Sequence, residues 1–279
     1  MRNKKICADV TCVLTVIFAA AFETATRAHA TPMSNARFTT PHHDLADREM
    51  HVWSTPLTPA FPSVEHLAAC LSHEEQERAA RVRDAATRVR FITVRVALRH
   101  ILAAYLQRDP HTLDLRVEPR GKPVIDAAHG VHFSLSHARD IALLAFARTL
   151  IGVDVEHTRE VRQLELIARR VMHADTRSTF EQLPAHLRNT AFLHAWTQRE
   201  AHVKAVGGGM FHTADTIPFT PVADHEMGVI RRTRDRVDDA LWSIVHFEPA
   251  PGSVAAAVAR GDMHTLRLLL WTPEHGEPQ

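Results

Sequence analysis

The stretch Ile151–Glu156, which reads Ile-Gly-Val-Asp-Val-Glu, decides the fold and predicts a β-strand. Side chains alternate between the two faces of a strand, so the three aliphatic residues point one way while Asp154 and Glu156 point the other. Two neighbouring carboxylates repel each other unless a positive charge lies between them, and Mg²⁺, which prefers oxygen ligands, meets that need. An edge strand with its polar face in water would show the same pattern, so this stretch leaves both interpretations open.

A second charged face lies about 45 residues downstream. The sequence predicts a helix from His186 to Val206, which the glycines at 207–209 end. Trp196, Glu200 and Lys204 are spaced i, i+4, i+8 and therefore share one helix face. An exposed Glu–Lys pair beside a half-buried tryptophan would have the same spacing without any function.

Two upstream segments complete a set of four. They are Gly121-Lys122-Pro123 and Phe133–His137, which reads Phe-Ser-Leu-Ser-His. In this order and spacing the four segments resemble the Sfp-type 4'-phosphopantetheinyl transferases. That family shows a G-K-P turn, F-N-[LI]-S-H, G-[IV]-D-[IV]-E and W-[ST]-x-K-E-[AS]-x-x-K, and the resemblance covers roughly residues 50–272.

The chain departs from the family pattern at two positions. Ser134 stands where the family has Asn, and Arg199 stands where it has Lys before the metal-binding Glu. Both changes keep polarity or charge. The guanidinium of Arg199 is planar and presents its N–H donors in a fork, whereas a lysine ammonium is a compact point charge. The two groups therefore bind a phosphate with different geometry.

The resemblance implies an α+β fold made of two similar, pseudo-duplicated lobes with the active site between them. Ile141–Arg148 and Ser253–Arg260 echo each other, which fits such a duplication. We expect an N-terminal lobe at 50–150, a C-terminal lobe with the metal site at 151–272, a polar linker at 33–49 and a disordered tail at 273–279. Periodicity and turn residues predict further helices near 72–83, 86–106, 164–172 and 175–182, and strands near 51–53, 113–117, 131–135, 141–147, 240–248, 253–260 and 265–271, with a hairpin turn across 136–140.

The resemblance also implies a reaction. The 4'-phosphopantetheine arm of coenzyme A would pass to a serine of an acyl or peptidyl carrier protein, with Mg²⁺, and adenosine 3',5'-bisphosphate would leave. The carrier could belong to fatty acid, polyketide, nonribosomal peptide or lysine biosynthesis. The implied roles are metal binding by Asp154, Glu156 and Glu200, catalysis by Glu200 and Lys204, and coenzyme A binding by Arg90, Lys122, Ser136, His137 and Arg199.

Composition restricts the other classes of function. The chain has 279 residues and a net charge of +1, which argues against a general nucleic-acid binder. Seven arginines lie between Arg78 and Arg99 against one acid, Asp84. Such a run is typical of a solvated helix face, although a polyanionic substrate such as coenzyme A would also explain it. The 21 histidines show no zinc spacing, and the three cysteines indicate no disulfide framework.

The amino terminus resembles a secretory signal. Met1–Lys5 is basic, Val10–Phe22 is mostly apolar, and Ala28–Ala30 has the small-x-small form of a cleavage site. The apolar run is short for a bilayer span, so we expect no stable membrane association. An enzyme that consumes coenzyme A needs the cytoplasmic pool. We therefore interpret residues 1–32 as a signal-like or artefactual extension of a cytoplasmic protein, with Met33 as a second start and export as the alternative.

Two other classes of function remain open from the sequence. A metal-dependent phosphoester hydrolase would use the same three carboxylates but would not need Gly-Lys-Pro or Ser-His. A non-catalytic scaffold that binds carrier proteins would not need the carboxylates.

Overall fold

The structure is a computed structural model that describes residues 44–57, 68–118, 122–207, 216–219, 221 and 226–272. Within these ranges there are five α-helices: α1 (His73–Arg81), α2 (Ala85–Leu106), α3 (Leu164–Val171), α4 (Ala174–Glu181) and α5 (Ala185–Val206). The strands are β1 (Glu49–Pro56), β2 (Arg116–Val117), β3 (Pro123–Val124), β4 (His132–Ala138), β5 (Ile141–Ala147), β6 (Ile151–His157), β7 (Arg231–Arg234), β8 (Leu241–Phe247), β9 (Ser253–Arg260) and β10 (Thr265–Leu270).

A strand–helix–hairpin unit occurs twice along the chain. The first unit is β1, α2, β4 and β5, and the second is β6, α5, β8 and β9; each of the two long helices has 22 residues. In both units the last strand lies between the other two, so β5 pairs with β1 and β4, and β9 pairs with β6 and β8. This repeat confirms the predicted α+β fold with two similar lobes. The strands that echo each other in sequence, β5 and β9, occupy equivalent places.

The layers follow the order helix, sheet, sheet, helix. The sheets have the strand orders β10-β1-β5-β4 and β6-β9-β8-β7. One apolar cluster between them includes Val52 of β1 and Val153 of β6. α2 packs on the first sheet through residues such as Leu98, and α5 packs on the second through residues such as Ala201. The aliphatic side of Ile151–Glu156 is therefore buried between the sheets, as its alternation predicts.

The last strand belongs to the first lobe rather than the second. β10 pairs in parallel with β1, from Glu49 opposite Thr265 to Ser54 opposite Leu270. The expectation that everything from 151 to 272 forms the C-terminal lobe is wrong for this strand. An alternating pattern predicts that Thr265–Leu270 is a strand but carries no information about which strand it pairs with. In the structure, its partner is the edge of β1 that β5 leaves free.

Two arginines of the arginine-rich segment 78–99 join α1 to α2 through buried ion pairs. Ser72 and Glu75 form a capping box at the start of α1. The buried Glu75 carboxylate then lies 2.6 Å from the Arg99 guanidinium and 3.7 Å from that of Arg95. Both arginines are buried on α2, so the interpretation of the whole run as a solvated or nucleotide-facing surface is wrong for them.

Most of the predicted secondary structure is confirmed. The helix predicted at 186–206 is α5, and Gly207 ends it in the left-handed conformation, with φ of 73°. The strand predicted at 113–117 is shorter, since only β2 forms there. β7 is not predicted, because its sequence, Arg-Arg-Thr-Arg, has no apolar alternation.

The leader at 1–32, most of the linker and the tail at 273–279 lie outside the described residues, and the expectations for them stay predictions. At the end of the linker, Leu45 is buried in the first lobe's core. None of the helices in the described ranges combines the length and apolar character needed to cross a membrane.

Candidate active site

Gly152 sets how closely α5 approaches β6. It lies on the same strand face as Asp154 and Glu156, and a Cβ atom there would be 1.8 Å from the Ala201 carbonyl oxygen. Any side chain would therefore force the helix away from the strand. The absence of one brings the carboxylates of β6 beside the polar face of α5.

Three elements meet at Asp154. The Lys204 ammonium on α5 lies 2.6 Å from Asp154 Oδ1 and also donates to Ser136 Oγ at 2.8 Å. The Ser136 hydroxyl, on β4 of the other lobe, donates to the same carboxylate oxygen at 2.8 Å. Predicted residues from both lobes are thus brought into direct contact.

The pKa values of the Glu156 and Glu200 carboxyl groups are raised by the same two causes. Burial raises the pKa of both groups, and the nearby Asp154 charge raises both further. For Glu156 the rise in pKa is opposed by Arg159 and by a hydrogen bond from the Trp196 indole. For Glu200 it is opposed mainly by Arg199, whose guanidinium lies 2.6 Å from Oε1. An added positive charge would relieve this crowding of negative charge.

The oxygen atoms of the three carboxylates suit a hard divalent cation in their chemistry, although they are not arranged around a common point. Carboxylate oxygens are the ligands that Mg²⁺ takes, and Asp154 Oδ2 is buried without a hydrogen-bond partner. Oxygens of the three carboxylates are contacted by Lys204, Arg199 and Arg159. In the part of the chain that the structure describes, no group of three or more His, Cys, Asp or Glu side chains is arranged to hold a metal ion. The magnesium site stays a prediction.

An open cleft of about 560 Å³ contains most of these groups. Asp154 and Glu156 lie on its acidic side, next to Lys204 and Ser136. His137, Arg139, His157 and Arg159 supply the basic side chains along its walls. A cleft with clustered carboxylates and several cationic side chains suits a ligand that carries several negative charges together with a metal ion.

Two comparisons identify the family. A model described as 4'-phosphopantetheinyl transferase, N-terminal, matches residues 55–149, and one described as 4'-phosphopantetheinyl transferase superfamily matches residues 150–259. The 4'-phosphopantetheinyl transferase HetI of Nostoc sp. strain PCC 7120 is 32% identical over 226 residues, covering 79% of this chain and 92% of HetI. This chain belongs to the 4'-phosphopantetheinyl transferase family.

Other relatives of this transferase carry the same description. The Bacillus pumilus protein psf-1 is 30% identical over 54% of this chain and 64% of its own length. Sfp of Bacillus subtilis is 26% identical over 59% of this chain and 73% of its own length. The predicted family and the predicted enzyme class are confirmed.

Four predicted site residues of the transferase lie apart from the cleft lining, namely Glu200, Lys122, Arg199 and Arg90. Lys122 Nζ donates to the Lys204 carbonyl oxygen at 2.7 Å, and burial lowers the pKa of this lysine. Arg199 lies over the Trp196 ring, 5.7 Å from its centre, while it binds Glu200. Arg90 pairs with Asp140 at 3.1 Å, at the turn between β4 and β5.

The sequence interpretation omitted three cleft residues of the transferase. They are Arg139, His157 and Arg159. His157 directly follows the Asp-Val-Glu of β6 and Arg159 comes two residues later, while Arg139 directly follows the Ser-His-Ala end of β4. Basic residues at or just beyond the ends of the two motif strands are a signal that could have found them, because both strand ends line the same cleft.

Proposed function

We propose that this transferase moves the 4'-phosphopantetheine arm of coenzyme A onto a serine of an acyl or peptidyl carrier protein, with Mg²⁺, and releases adenosine 3',5'-bisphosphate. The observation that carries the proposal is the cleft in which Asp154, Glu156 and Lys204 lie beside cationic walls. Coenzyme A has a pyrophosphate and a 3'-phosphate, so it needs both kinds of group. Its use as substrate also favours the cytoplasm as the location.

Asp154, Glu156 and Glu200 would hold the magnesium ion. When bound, the ion would neutralise charge on the pyrophosphate and make the phosphorus more electrophilic. Two observations support this assignment. Mg²⁺ prefers oxygen ligands, and Asp154 Oδ2 is buried without a hydrogen-bond partner.

Glu200 is the proposed base. Arg199 holds its Oε1, which leaves Oε2 to accept the proton of the carrier serine. Burial and the Asp154 charge raise the pKa of Glu200, and a higher pKa makes a carboxylate a stronger base. The serine oxygen then bonds to the phosphorus that bears the pantetheine arm, and the bond from that phosphorus to the bridging oxygen breaks.

Lys204 is placed to stabilise the leaving group. An ammonium has three N–H donors, and two of those on Lys204 go to Ser136 and Asp154. The third can donate to the bridging oxygen, which leaves with the electron pair as part of adenosine 3',5'-bisphosphate. Ser136 and His137 would contact phosphate from the β4 side, whereas Lys122 and Arg199 act on the site through Lys204 and Glu200.

Mass spectrometry of a purified apo carrier protein tests the function. Incubation with the transferase, coenzyme A and Mg²⁺ should add one phosphopantetheine to a serine, and a chelator should prevent it. Release of phosphate or phosphopantetheine without carrier modification would instead identify a phosphoester hydrolase. A stable complex with the carrier but no product would identify a scaffold. Carriers from fatty acid, polyketide and nonribosomal peptide synthases, compared in parallel, would give the preferred class.

A further inference from the structure

The face of β4 that is directed between the two sheets carries two serines at positions where its neighbour is apolar. Ser134 and Ser136 are two residues apart and therefore share this face. Their cross-strand partners on β5 are Ala145 and Leu143, which belong to the apolar cluster between the sheets. Both serines are buried. Burial of a hydroxyl is costly unless it is hydrogen-bonded, so two serines at apolar positions indicate a specific task for each hydroxyl.

Both hydroxyls form hydrogen bonds with β6. β4 and β6 are edge strands of different sheets, one in each lobe. The Val153 amide donates to Ser134 Oγ at 3.3 Å, and the Ser136 hydroxyl donates to Asp154 Oδ1 at 2.8 Å. Two consecutive residues of β6 are therefore held by β4, the first through its backbone and the second through its side chain.

The two hydrogen bonds fix Asp154 in different ways. The bond from Ser136 orients the carboxylate, whereas the bond from the Val153 amide holds the backbone from which that side chain extends. With Oδ1 bound by Ser136 and Lys204, Oδ2 is the oxygen left for a metal ion. Groups that hold a metal ligand in place typically contribute ten- to a hundredfold, or about one to two powers of ten, to metal affinity.

Ser134 acts on the cleft only through β6. Ser136 and Asp154 line the cleft, whereas Ser134 lies outside its lining residues. The Ser134 hydroxyl therefore does not touch a ligand there. Its contact is with the residue that precedes Asp154, so the effect of removing it should appear first at that carboxylate.

We propose that Ser134 is a positioning residue that sets the metal affinity of the site, because its hydroxyl holds the Val153 amide and thereby fixes Asp154. The inference rests on the proposed function, in which Asp154 is a metal ligand. Ser134 is also one of the two positions at which this chain departs from the family pattern, so the role belongs here to a hydroxyl rather than to an amide side chain.

A second buried serine provides a matched control for a purely structural role. Ser243, on β8, accepts a hydrogen bond from the Met263 amide at 2.9 Å and donates to the Gly261 carbonyl oxygen at 2.7 Å. It lies outside the residues that line the cleft. Ser134→Ala and Ser243→Ala each remove a buried hydroxyl that accepts from a backbone amide, so both should lower the melting temperature. Only Ser134→Ala should change metal binding.

The test compares wild type, Ser134→Ala, Ser134→Thr and Ser243→Ala in three measurements. The first is the affinity for Mn²⁺ in the presence of coenzyme A, read from the electron paramagnetic resonance signal of the free ion. The second is the Mg²⁺ concentration that gives half-maximal carrier modification, together with kcat at saturating Mg²⁺. The third is the melting temperature without metal.

We expect Ser134→Ala to bind Mn²⁺ about tenfold more weakly and to need about tenfold more Mg²⁺, while kcat recovers at saturating Mg²⁺. Ser134→Thr keeps the hydroxyl and should retain most of the wild-type affinity, and Ser243→Ala should retain all of it. Wild-type Mn²⁺ affinity in Ser134→Ala would overturn the proposal. So would an equal loss in Ser243→Ala, or a loss in Ser134→Thr as large as that in Ser134→Ala.

The positioning role and the proposed function can fail separately. If Mn²⁺ affinity changes as expected but no carrier is modified by the wild type, the role of Ser134 stands and the proposed function fails. If the wild type modifies a carrier but binds no Mn²⁺ in the presence of coenzyme A, the function stands and the role of Ser134 fails.

Discussion

Asp154 joins the two lobes, because its carboxylate binds both Ser136 and Lys204. We expect Asp154→Asn to abolish detectable transfer, since a neutral amide is a poor substitute for a carboxylate ligand of Mg²⁺. The substitution also leaves the Lys204 ammonium without its carboxylate, so the free energy of unfolding should fall by about 1–2 kcal/mol. The carrier assay and urea denaturation without metal measure the two effects. Glu160→Gln, at an exposed carboxylate, should change neither, and wild-type transfer by Asp154→Asn would remove Asp154 from the metal site.

Gly152 allows a test of the close packing between β6 and α5. A methyl group there overlaps the Ala201 carbonyl, so Gly152→Ala should lower the free energy of unfolding by at least about 3 kcal/mol and reduce transfer as well. Gly207→Ala is the matched control, because that glycine has a positive φ but open space around it. Gly207→Ala should lower the free energy of unfolding by only about 1 kcal/mol. Urea denaturation compares them, and a loss in Gly152→Ala no larger than that in Gly207→Ala would mean that α5 shifts away from the strand at little cost.

At the scale of the elements, one buried carboxylate connects α1 to α2. Glu75→Ala would leave Arg95 and Arg99 buried without their acid, and unpaired buried charges of this kind cost about 3–5 kcal/mol. Glu77→Ala removes an exposed pair with Arg81 on the same helix and should cost less than about 0.5 kcal/mol. Thermal and urea unfolding of the two variants test this difference. A small loss in Glu75→Ala would show that the arginines find other partners.

For the whole molecule, buried histidines should make stability depend on pH. Burial lowers the pKa of His246 to about 3 and that of His100 to about 4. In the unfolded chain both take up a proton near pH 6.5, so the unfolded state binds more protons below that pH. Stability should therefore be constant above about pH 6.5 and fall as the pH decreases towards 4, with a slope of up to about 1.4 kcal/mol per pH unit for each histidine.

His246→Gln should reduce that slope, whatever it does to stability at neutral pH. His246 contacts the His194 carbonyl oxygen and Arg231, so the substitution removes a titrating group that ties β8 to α5 and β7. Urea denaturation at several pH values between 4 and 7 gives both slopes. An unchanged slope in the variant would mean that His246 is protonated in the folded protein over this range.

The amino-terminal extension has its own test. All four motifs and the first described strand lie after residue 48, so a chain that begins at Met33 should fold and transfer at the full rate. Expression of both forms, with thermal unfolding and the carrier assay, measures this. Loss of folding in the shorter form would assign the leader a structural role. A mature protein cleaved after Ala30 in an exported fraction would contradict the cytoplasmic assignment.

Local pattern was enough to predict which side chains of the candidate site share a face of a strand or a helix. The alternation of Ile151–Glu156 predicts which side chains are buried, and the four-residue spacing of Trp196, Glu200 and Lys204 predicts a shared helix face. Both follow from backbone geometry alone, which every strand and helix obeys. The order of the four segments then identifies the family, and with it the α+β fold in two lobes.

Contacts between distant segments were decided only by the tertiary structure. The parallel pairing of β10 with β1, the binding of Arg99 to Glu75 and the pairing of Arg90 with Asp140 join residues whose relative positions depend on how sheets and helices pack. The same holds for the Lys204 ammonium, which lies between Asp154 and Ser136 because Gly152 lets α5 approach the strand. The sequence by itself determined which residues share a face of each element, since that depends on neighbours along the chain; which faces meet, and hence which charges pair, depends on packing between elements far apart in sequence.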